Sequence, residues 1–357
     1  MTAGAVTIPS PDNYRTGETC QLLDLLQPKS DTELEAMAQR ARMLTRRHFG
    51  QTISLYAPLY LSNYCSGGCV YCGFASDREQ PRTRLSKSEL NQELSALRQN
   101  GLDDILLLTG ERTEKAGFDY VLECVETAAE TFDSVGIETF AMSDDEYRQL
   151  VDAGCTSITL YQETYDRKLY ANLHRWGPKR DYANRIEAPA RALAAGMRSA
   201  GLGVLLGLKD PAPDLACLMR HALYLRRKFW KSGVMLSFPR ICAQQGGYEP
   251  AYEISDRFLA QAVFAFRICL PDVPLVLSTR ENRRLRDNLA GTGISRMSVA
   301  SRTTVGGYRR GAGNSHGQFE VNDNRDVDTF CGILHKKGLE PVFKNWDACF
   351  HMEPTSP

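Results

Sequence analysis

The sequence predicts an α/β protein, a TIM-type (β/α)8 barrel, and three observations carry the prediction. Short β-rich runs alternate with longer segments whose apolar residues fall at helical spacing. About eight such strand–helix units follow one another over roughly 250 residues, the size of one barrel. The 357-residue chain also shows no internal repeat or low-complexity stretch of the kind that marks a solenoid or a linker. An open doubly wound sheet is the alternative, because alternation by itself does not show closure.

Taken in order, residues 1–50 read as an N-terminal helical extension, with DTELEAMAQRARMLTRRHFG as its helix. The barrel spans 51–305. Its first strand is expected at 53–59 and runs straight into YCSGGCVYCGF. A helix starts after Ser86, where Ser86 and Glu89 make a capping box, and ends at Gly101, a residue suited to a helix C-terminus. DILLLT precedes a helix over 117–132, and GIETFA precedes SDDEYRQLVDAG. SITLYQ leads to a helix over 181–200, and LGVLLGL to one over 213–230. VMLSFPR leads to 255–270, PLVLSTR to 283–289, and RMSVAS to the tail. That tail, 306–357, packs on the barrel with a helix near 326–337 and a short strand, EPVFK.

Bulk composition excludes several classes of protein. With 43% hydrophobic and 24% charged residues, the chain reads as an ordinary globular protein. Basic and acidic residues balance at 43 each, which leaves no electrostatic footprint for nucleic acid or an anionic membrane. The basic run RHALYLRRKFW reads as a solvated helix face. No run approaches the roughly 18 apolar residues of a membrane helix, and the first residues lack the apolar core of a secretory signal. Eleven cysteines, an odd number, argue for a reducing compartment and against a complete disulfide framework. The cytoplasm is the expected location.

Three of those cysteines, Cys65, Cys69 and Cys72, sit in a C-x3-C-x2-C loop with glycines at 67, 68 and 73. Thiolates are the protein ligands of iron–sulfur clusters, and a [4Fe–4S] cubane held by three of them keeps one iron open. An open position lets a metal centre engage a substrate rather than remain structural. Glycines let such a loop wrap closely and turn its N–H groups toward the sulfurs. A three-cysteine zinc site completed by a distant histidine stays open on spacing alone. So does a non-catalytic iron–sulfur or zinc scaffold.

Barrel chemistry sits at the C-terminal ends of the strands, so polar residues after each apolar run should converge on one mouth. Those are the cysteine loop, Thr109-Gly110-Glu111, Gln162-Glu163, Lys209, Arg240, Arg280 and Ser298 or Ser301. Tyr71, Tyr161 and Tyr165 are aromatic candidates for the same place.

The cysteine spacing followed by Gly-Phe, with Tyr71 ahead of the third cysteine, resembles the signature of the radical S-adenosylmethionine (SAM) superfamily. LYLSNYCSGGCVYCGF, LLLTGE, LYQETY, GLGVLLGL, SFPR, LSTRE and VGGY follow in this order, and the chain closes on PVFKNWD. Together they resemble the 2-iminoacetate synthase family, the tyrosine lyases of thiamine thiazole biosynthesis, from about residue 42 to 347.

The resemblance implies a [4Fe–4S] cluster on Cys65, Cys69 and Cys72, with SAM on the open iron. In that family SAM is reductively cleaved to methionine and 5′-deoxyadenosine. The Cα–Cβ bond of L-tyrosine breaks to give 2-iminoacetate (dehydroglycine) and p-cresol. Cofactor contacts are then implied for Thr109, Gly110 and Glu111 at the SAM amino group, and for Glu163 at the ribose. Arg185 falls to the SAM carboxylate, with Tyr71 beside the cluster. Arg280 is the expected anchor of the tyrosine carboxylate, Ser298 a second partner and Arg240 the reserve. Implied partners are thiazole synthase and a reductase or flavodoxin-type electron donor. The glycines of GLGVLLG read as strand glycines that let SAM approach, not as a dinucleotide fingerprint.

One departure stands out. After Gly-Ile-Glu the family has Val-x-Pro, where this chain has Thr139-Phe140-Ala141, which puts ring recognition and the choice between tyrosine and tryptophan in doubt. The hydrogenase-maturation relative carries a further C-terminal cysteine motif. Here only Cys331 and Cys349 lie near the tail, without a C-x-x-C pair.

Overall fold

The computed structural model describes residues 17–310 and 317–343. Two helices, α1 (Gly17–Leu26) and α2 (Asp31–Phe49), precede β1 (Thr52–Tyr60). Strand and helix then alternate: α3 (Lys87–Gln99), β2 (Asp104–Leu108), α4 (Phe118–Ala129), β3 (Ser134–Glu138), α5 (Asp144–Asp152) and β4 (Ser157–Thr159). A short α6 (Arg167–Leu173) and a single 3-10 turn (Pro178–Arg180) lead into α7 (Tyr182–Ala195) and β5 (Ser199–Gly203). α8 (Pro211–Lys228), β6 (Gly233–Ser237), α9 (Asp256–Cys269), β7 (Leu275–Leu277), α10 (Arg283–Leu289) and β8 (Arg296–Ser298) complete the ring. α11 (Gly307–Arg310), α12 (Val327–Lys336) and β9 (Glu340–Val342) follow.

Every strand pairing among these is parallel, and β1 pairs with both β8 and β2, so the eight strands close into a barrel. The open-sheet alternative is thereby excluded. Closure follows from burial on both faces: in β2 all five residues of DILLL are buried, against the helices outside or the lumen inside. β9 pairs with Thr52–Ser54 of β1, ahead of the point where β2 takes over at Ala57. The lumen floor is shut by a two-bond ion pair between Arg296 and Asp104, at 2.6 and 2.8 Å, with the Arg296 guanidinium over the Tyr56 ring. Among the described residues the lumen is left open toward the C-terminal ends of its strands.

Local signals placed the helices well. Ser30, Ser86 and Ser143 each cap a helix with the reciprocal glutamate bond of a capping box. Gly101 lies one residue past the Asn100 cap of α3, at φ +78°. Two expectations move. The helix expected over 181–200 stops at Ala195 on a left-handed Gly196, and Ser199 and Ala200 belong to β5. β5 therefore lies three residues earlier than LGVLLGL suggested. Residues beyond Gly203 continue as single bridges, Val204 to Glu163 and Leu206 to Arg240, which carry the chain up to the mouth. No helix among the described residues is long and apolar enough to cross a membrane. The last part of the PVFKNWD motif and Cys349 lie outside the described residues.

A candidate active site at the barrel mouth

A cavity opens at the C-terminal end of the strands. β1 runs into the cysteine loop, and the side chains of Cys65, Cys69 and Cys72 all line this cavity. Backbone geometry fixes them. The N–H groups of Gly67 and Glu111 each donate to Cys65 Sγ at 3.3 Å, and that of Phe74 donates to Cys72 Sγ at 3.4 Å. Gly110 must be glycine: a Cβ there would stand 2.5 Å from the Tyr64 carbonyl and 2.6 Å from Cys65 Cβ. Burial pushes the Cys65 and Cys69 thiols up, to about 11 and about 12, so holding them as thiolates calls for positive charge.

Beside the thiols stand two closed ion pairs. Glu111, after β2, accepts from Arg185 Nη1 at 3.2 Å, and Arg185 Nε donates to the Tyr161 carbonyl. Arg185 is 6% exposed, a lumen residue of α7 rather than a surface charge. Glu163, after β4, accepts from Lys179 Nζ at 2.7 Å. The backbone of Glu163 is held at φ +68°, left-handed and costly for a residue with a Cβ, which turns its carboxylate into the cavity.

The sequence candidates divide cleanly by position. Cys65, Cys69, Cys72, Tyr71, Thr109, Gly110, Glu111, Glu163, Arg185 and Arg280 share the cavity wall. The Tyr71 hydroxyl is already engaged with His174 Nε2 at 2.7 Å, so its ring is what faces inward. Burial drives the His174 imidazole down to about 2, and its Nδ1–H donates to the Tyr170 carbonyl. Ser298 and Ser301 lie below, in a second, smaller cavity deeper in the lumen.

Arg240 is absent from both walls; Glu281 and Asp256 hold it beside a neighbouring surface pocket. Lys209 pairs with Asp166, and Tyr165 is buried against His221 Nδ1; neither faces the cavity. Gln162 is buried beside Glu163 without lining it.

Several lining residues carried no sequence signal. Lys179 lies in the turn before α7, remote from any strand end. Glu138 is the last residue of β3, which stops there and leaves the rest of the GIETFA run outside the strand. Gln318 and Phe319 belong to the tail. Gln318 accepts from the Tyr60 hydroxyl at 2.7 Å and reaches Cys72 Sγ at 3.7 Å, and Phe319 lies 3.4 Å beneath the Arg280 guanidinium. The tail thus forms part of the lid over the site.

A closed parallel barrel whose first strand delivers three thiols to the open end of its lumen defines a radical SAM enzyme, and residues 59–215 match the Radical SAM superfamily. Residues 237–340 match the Biotin and Thiamin Synthesis associated domain. The chain belongs to the 2-iminoacetate synthase family. It is 38% identical to 2-iminoacetate synthase of Escherichia coli strain K12 over 328 residues, 92% of this chain and 87% of that one. Among solved structures it is similar to the [FeFe]-hydrogenase maturase HydG from Carboxydothermus hydrogenoformans. That likeness has TM-score 0.86 and 32% identity, over 97% of this chain and 80% of the maturase. A second HydG structure gives 0.87 and 29%, over 96% and 79%.

The cofactors are a [4Fe–4S] cluster and SAM, and the residues present fit both. Three free thiols on one wall, each of two receiving backbone N–H bonds, form a donor set that leaves one iron of a cubane without a protein ligand. The glycine cradle and the paired carboxylates and cations beside them suit a zwitterionic nucleoside.

Proposed function

We infer that the chain is a radical SAM lyase that cleaves the Cα–Cβ bond of L-tyrosine, giving 2-iminoacetate and p-cresol for the thiazole of thiamine. The observation that carries the reading is the meeting of the three thiols, the Glu111–Arg185 and Glu163–Lys179 pairs and Arg280 in one cavity. When bound, the cluster and SAM supply a carbon radical by reductive cleavage of the sulfonium.

The chain's own residues bind, orient and exclude water. Cys65, Cys69 and Cys72 would hold the cluster. Glu111 and Arg185 offer an acceptor and a planar fork to the amino and carboxylate ends of SAM, while Glu163 is placed for its ribose. Arg280 has no carboxylate partner among the described residues and is the proposed anchor of the tyrosine carboxylate. Ser298 and Ser301 line the depth into which the side chain would reach. Arg240, already neutralised by two carboxylates outside the cavity, leaves the list of candidate anchors.

Thiazole synthase as consumer of the product, a flavodoxin-type reductase as electron donor and a cytoplasmic location complete the proposal. So does the division into extension (1–50), barrel (51–305) and tail (306–357). Anaerobic reconstitution with tyrosine and tryptophan offered side by side tests it. Cresol with glyoxylate, the hydrolysis product of 2-iminoacetate, is expected; an indole product or no product would overturn the substrate.

A further inference from the structure

Three carboxylates and three cations line the mouth cavity: Glu111, Glu138 and Glu163 against Lys179, Arg185 and Arg280. Two pairs are closed. The third is open. The Glu138 carboxylate accepts no hydrogen bond and forms no ion pair among the described residues; its backbone carbonyl takes the Thr109 N–H at 3.3 Å. The Arg280 guanidinium stacks on Phe319 and touches the Cys242 thiol, but meets no carboxylate.

Topology puts these two residues opposite each other. Glu138 ends β3 and Arg280 follows β7, four strands apart in a ring of eight. Both line the mouth cavity and also the deeper one, with Leu108, Tyr161, Pro239 and Phe319. They therefore flank the neck between the cofactor space and the inner lumen. An unpaired carboxylate at such a place is costly, and burial, eased by Arg280, pushes Glu138 up to about 7.

We propose that Glu138 receives the α-ammonium of the substrate across the neck from Arg280 and accepts its proton. The proposal rests on the tyrosine-lyase reading. A zwitterionic α-amino acid carries one charge of each sign, and the neck offers one unpaired partner for each.

The reaction also demands a base. The ammonium nitrogen holds three hydrogens and the imine nitrogen of the product holds one. One leaves as a hydrogen atom and the other as a proton, by R–NH3⁺ + Glu138–COO⁻ → R–NH2 + Glu138–COOH. No oxidant or reductant enters this step. In a water-poor lumen the neutral pair on the right is favoured over two buried charges.

The phenol is placed elsewhere by the same geometry. With the amino acid head at the neck, the ring extends into the deeper cavity, where Pro58 and Leu106 give apolar wall and Ser298, Ser301 and Thr303 give hydroxyls.

The test uses the cluster-loaded enzyme with SAM, left unreduced so that nothing turns over. Binding of L-tyrosine is compared with that of 3-(4-hydroxyphenyl)propionate, which lacks only the amino group. The wild type should favour tyrosine by about tenfold or more, a loss of the order seen when a buried charge loses its partner. Glu138→Gln should abolish that preference and leave propionate binding unchanged. After reduction, Glu138→Gln should cleave tyrosine slowly at neutral pH and regain rate as rising pH deprotonates the amine in solution, a rescue that a structural role would not give.

A Glu138→Gln enzyme that keeps the preference overturns the proposal. So does one that loses discrimination between tyrosine and phenylalanine instead, which would assign Glu138 to the phenol. If the variant does not fold, the wild-type comparison with Glu138→Asp decides: no amine preference in the wild type, or an undiminished one in the aspartate variant, sinks it. A wild type that neither binds tyrosine nor forms cresol removes the substrate reading itself.

Discussion

The rim and the neck of the same cavity handle charge in opposite ways. At the rim, Glu111 is closed on Arg185 at 3.2 Å and Glu163 on Lys179 at 2.7 Å. At the neck, Glu138 and Arg280 stand across the lumen with no mutual bond and no other charged partner among the described residues. The rim is therefore preorganised before any ligand arrives, whereas the neck is completed by one. Preorganisation suits a cofactor that must be held in one pose, and an open pair suits a substrate that brings both charges and must leave as product.

The largest effect expected is at the thiols. Replacing Cys65, Cys69 or Cys72 by Ala should abolish deoxyadenosine formation, measured after anaerobic reconstitution and reduction. Turnover surviving in any one of the three would mean that the cluster is held differently. Next comes the rim. Arg185→Met strands Glu111 in a buried site, and loss of one partner of such a pair costs about 3–5 kcal/mol. Denaturant unfolding should register that loss, together with weaker SAM binding. A cost under about 1 kcal/mol would show that the rim is wet and not prepaired.

The neck should respond the other way. Arg280→Ala is expected to leave stability nearly unchanged while tyrosine binding falls about 10- to 100-fold, the range for an unpaired ligand charge. Equal losses in tyrosine and SAM binding would instead mark Arg280 as structural.

Glu138→Gln should stabilise the ligand-free protein. Burial raises the carboxyl to about 7 from an ordinary 4.5, with Arg280, Lys179 and Arg185 easing the shift and Glu163 adding to it. Between those values the native state keeps a proton that the unfolded chain has released, so stability falls as pH rises across the window. The variant loses that dependence. Its advantage should be absent near pH 4.5 and reach up to about 3 kcal/mol above pH 7. A gain that does not grow with pH would place the cost of Glu138 elsewhere.

How much of this was legible follows from which interactions are local. The capping box at Ser86, the run DILLL and the C-x3-C-x2-C loop act over a few residues, so they can be read directly. The contribution of Arg185 needed the resemblance, because its partner Glu111 lies 74 positions away. Lys179 and Gln318 were invisible for the same reason. Each reaches the site by a turn or a tail whose course is set by packing and not by a strand end. Arg240 fails instructively: it follows β6 as the barrel rule requires, but Glu281 draws its guanidinium outward. Position on the barrel selects candidates, and the nearest opposite charge decides which way they point.

The smallest effect belongs to the residue that follows Glu138. Thr139, next to Glu138, lines the mouth cavity and is 7% exposed, yet its hydroxyl has no hydrogen-bond partner. An unsatisfied buried hydroxyl costs about 1–3 kcal/mol of desolvation. Val is nearly the same shape without that cost, so Thr139→Val should stabilise the ligand-free enzyme by up to about 1 kcal/mol. If the hydroxyl serves no ligand, SAM and tyrosine binding should both stay within about twofold. A selective loss of one, measured on the unreduced holoenzyme, would identify the ligand that the orphan hydroxyl awaits. It would make Thr139 a third open contact beside Glu138 and Arg280. Loss of tyrosine alone would extend the neck by one residue past the end of β3. Loss of SAM alone would move Thr139 to the rim and leave the neck with charges only.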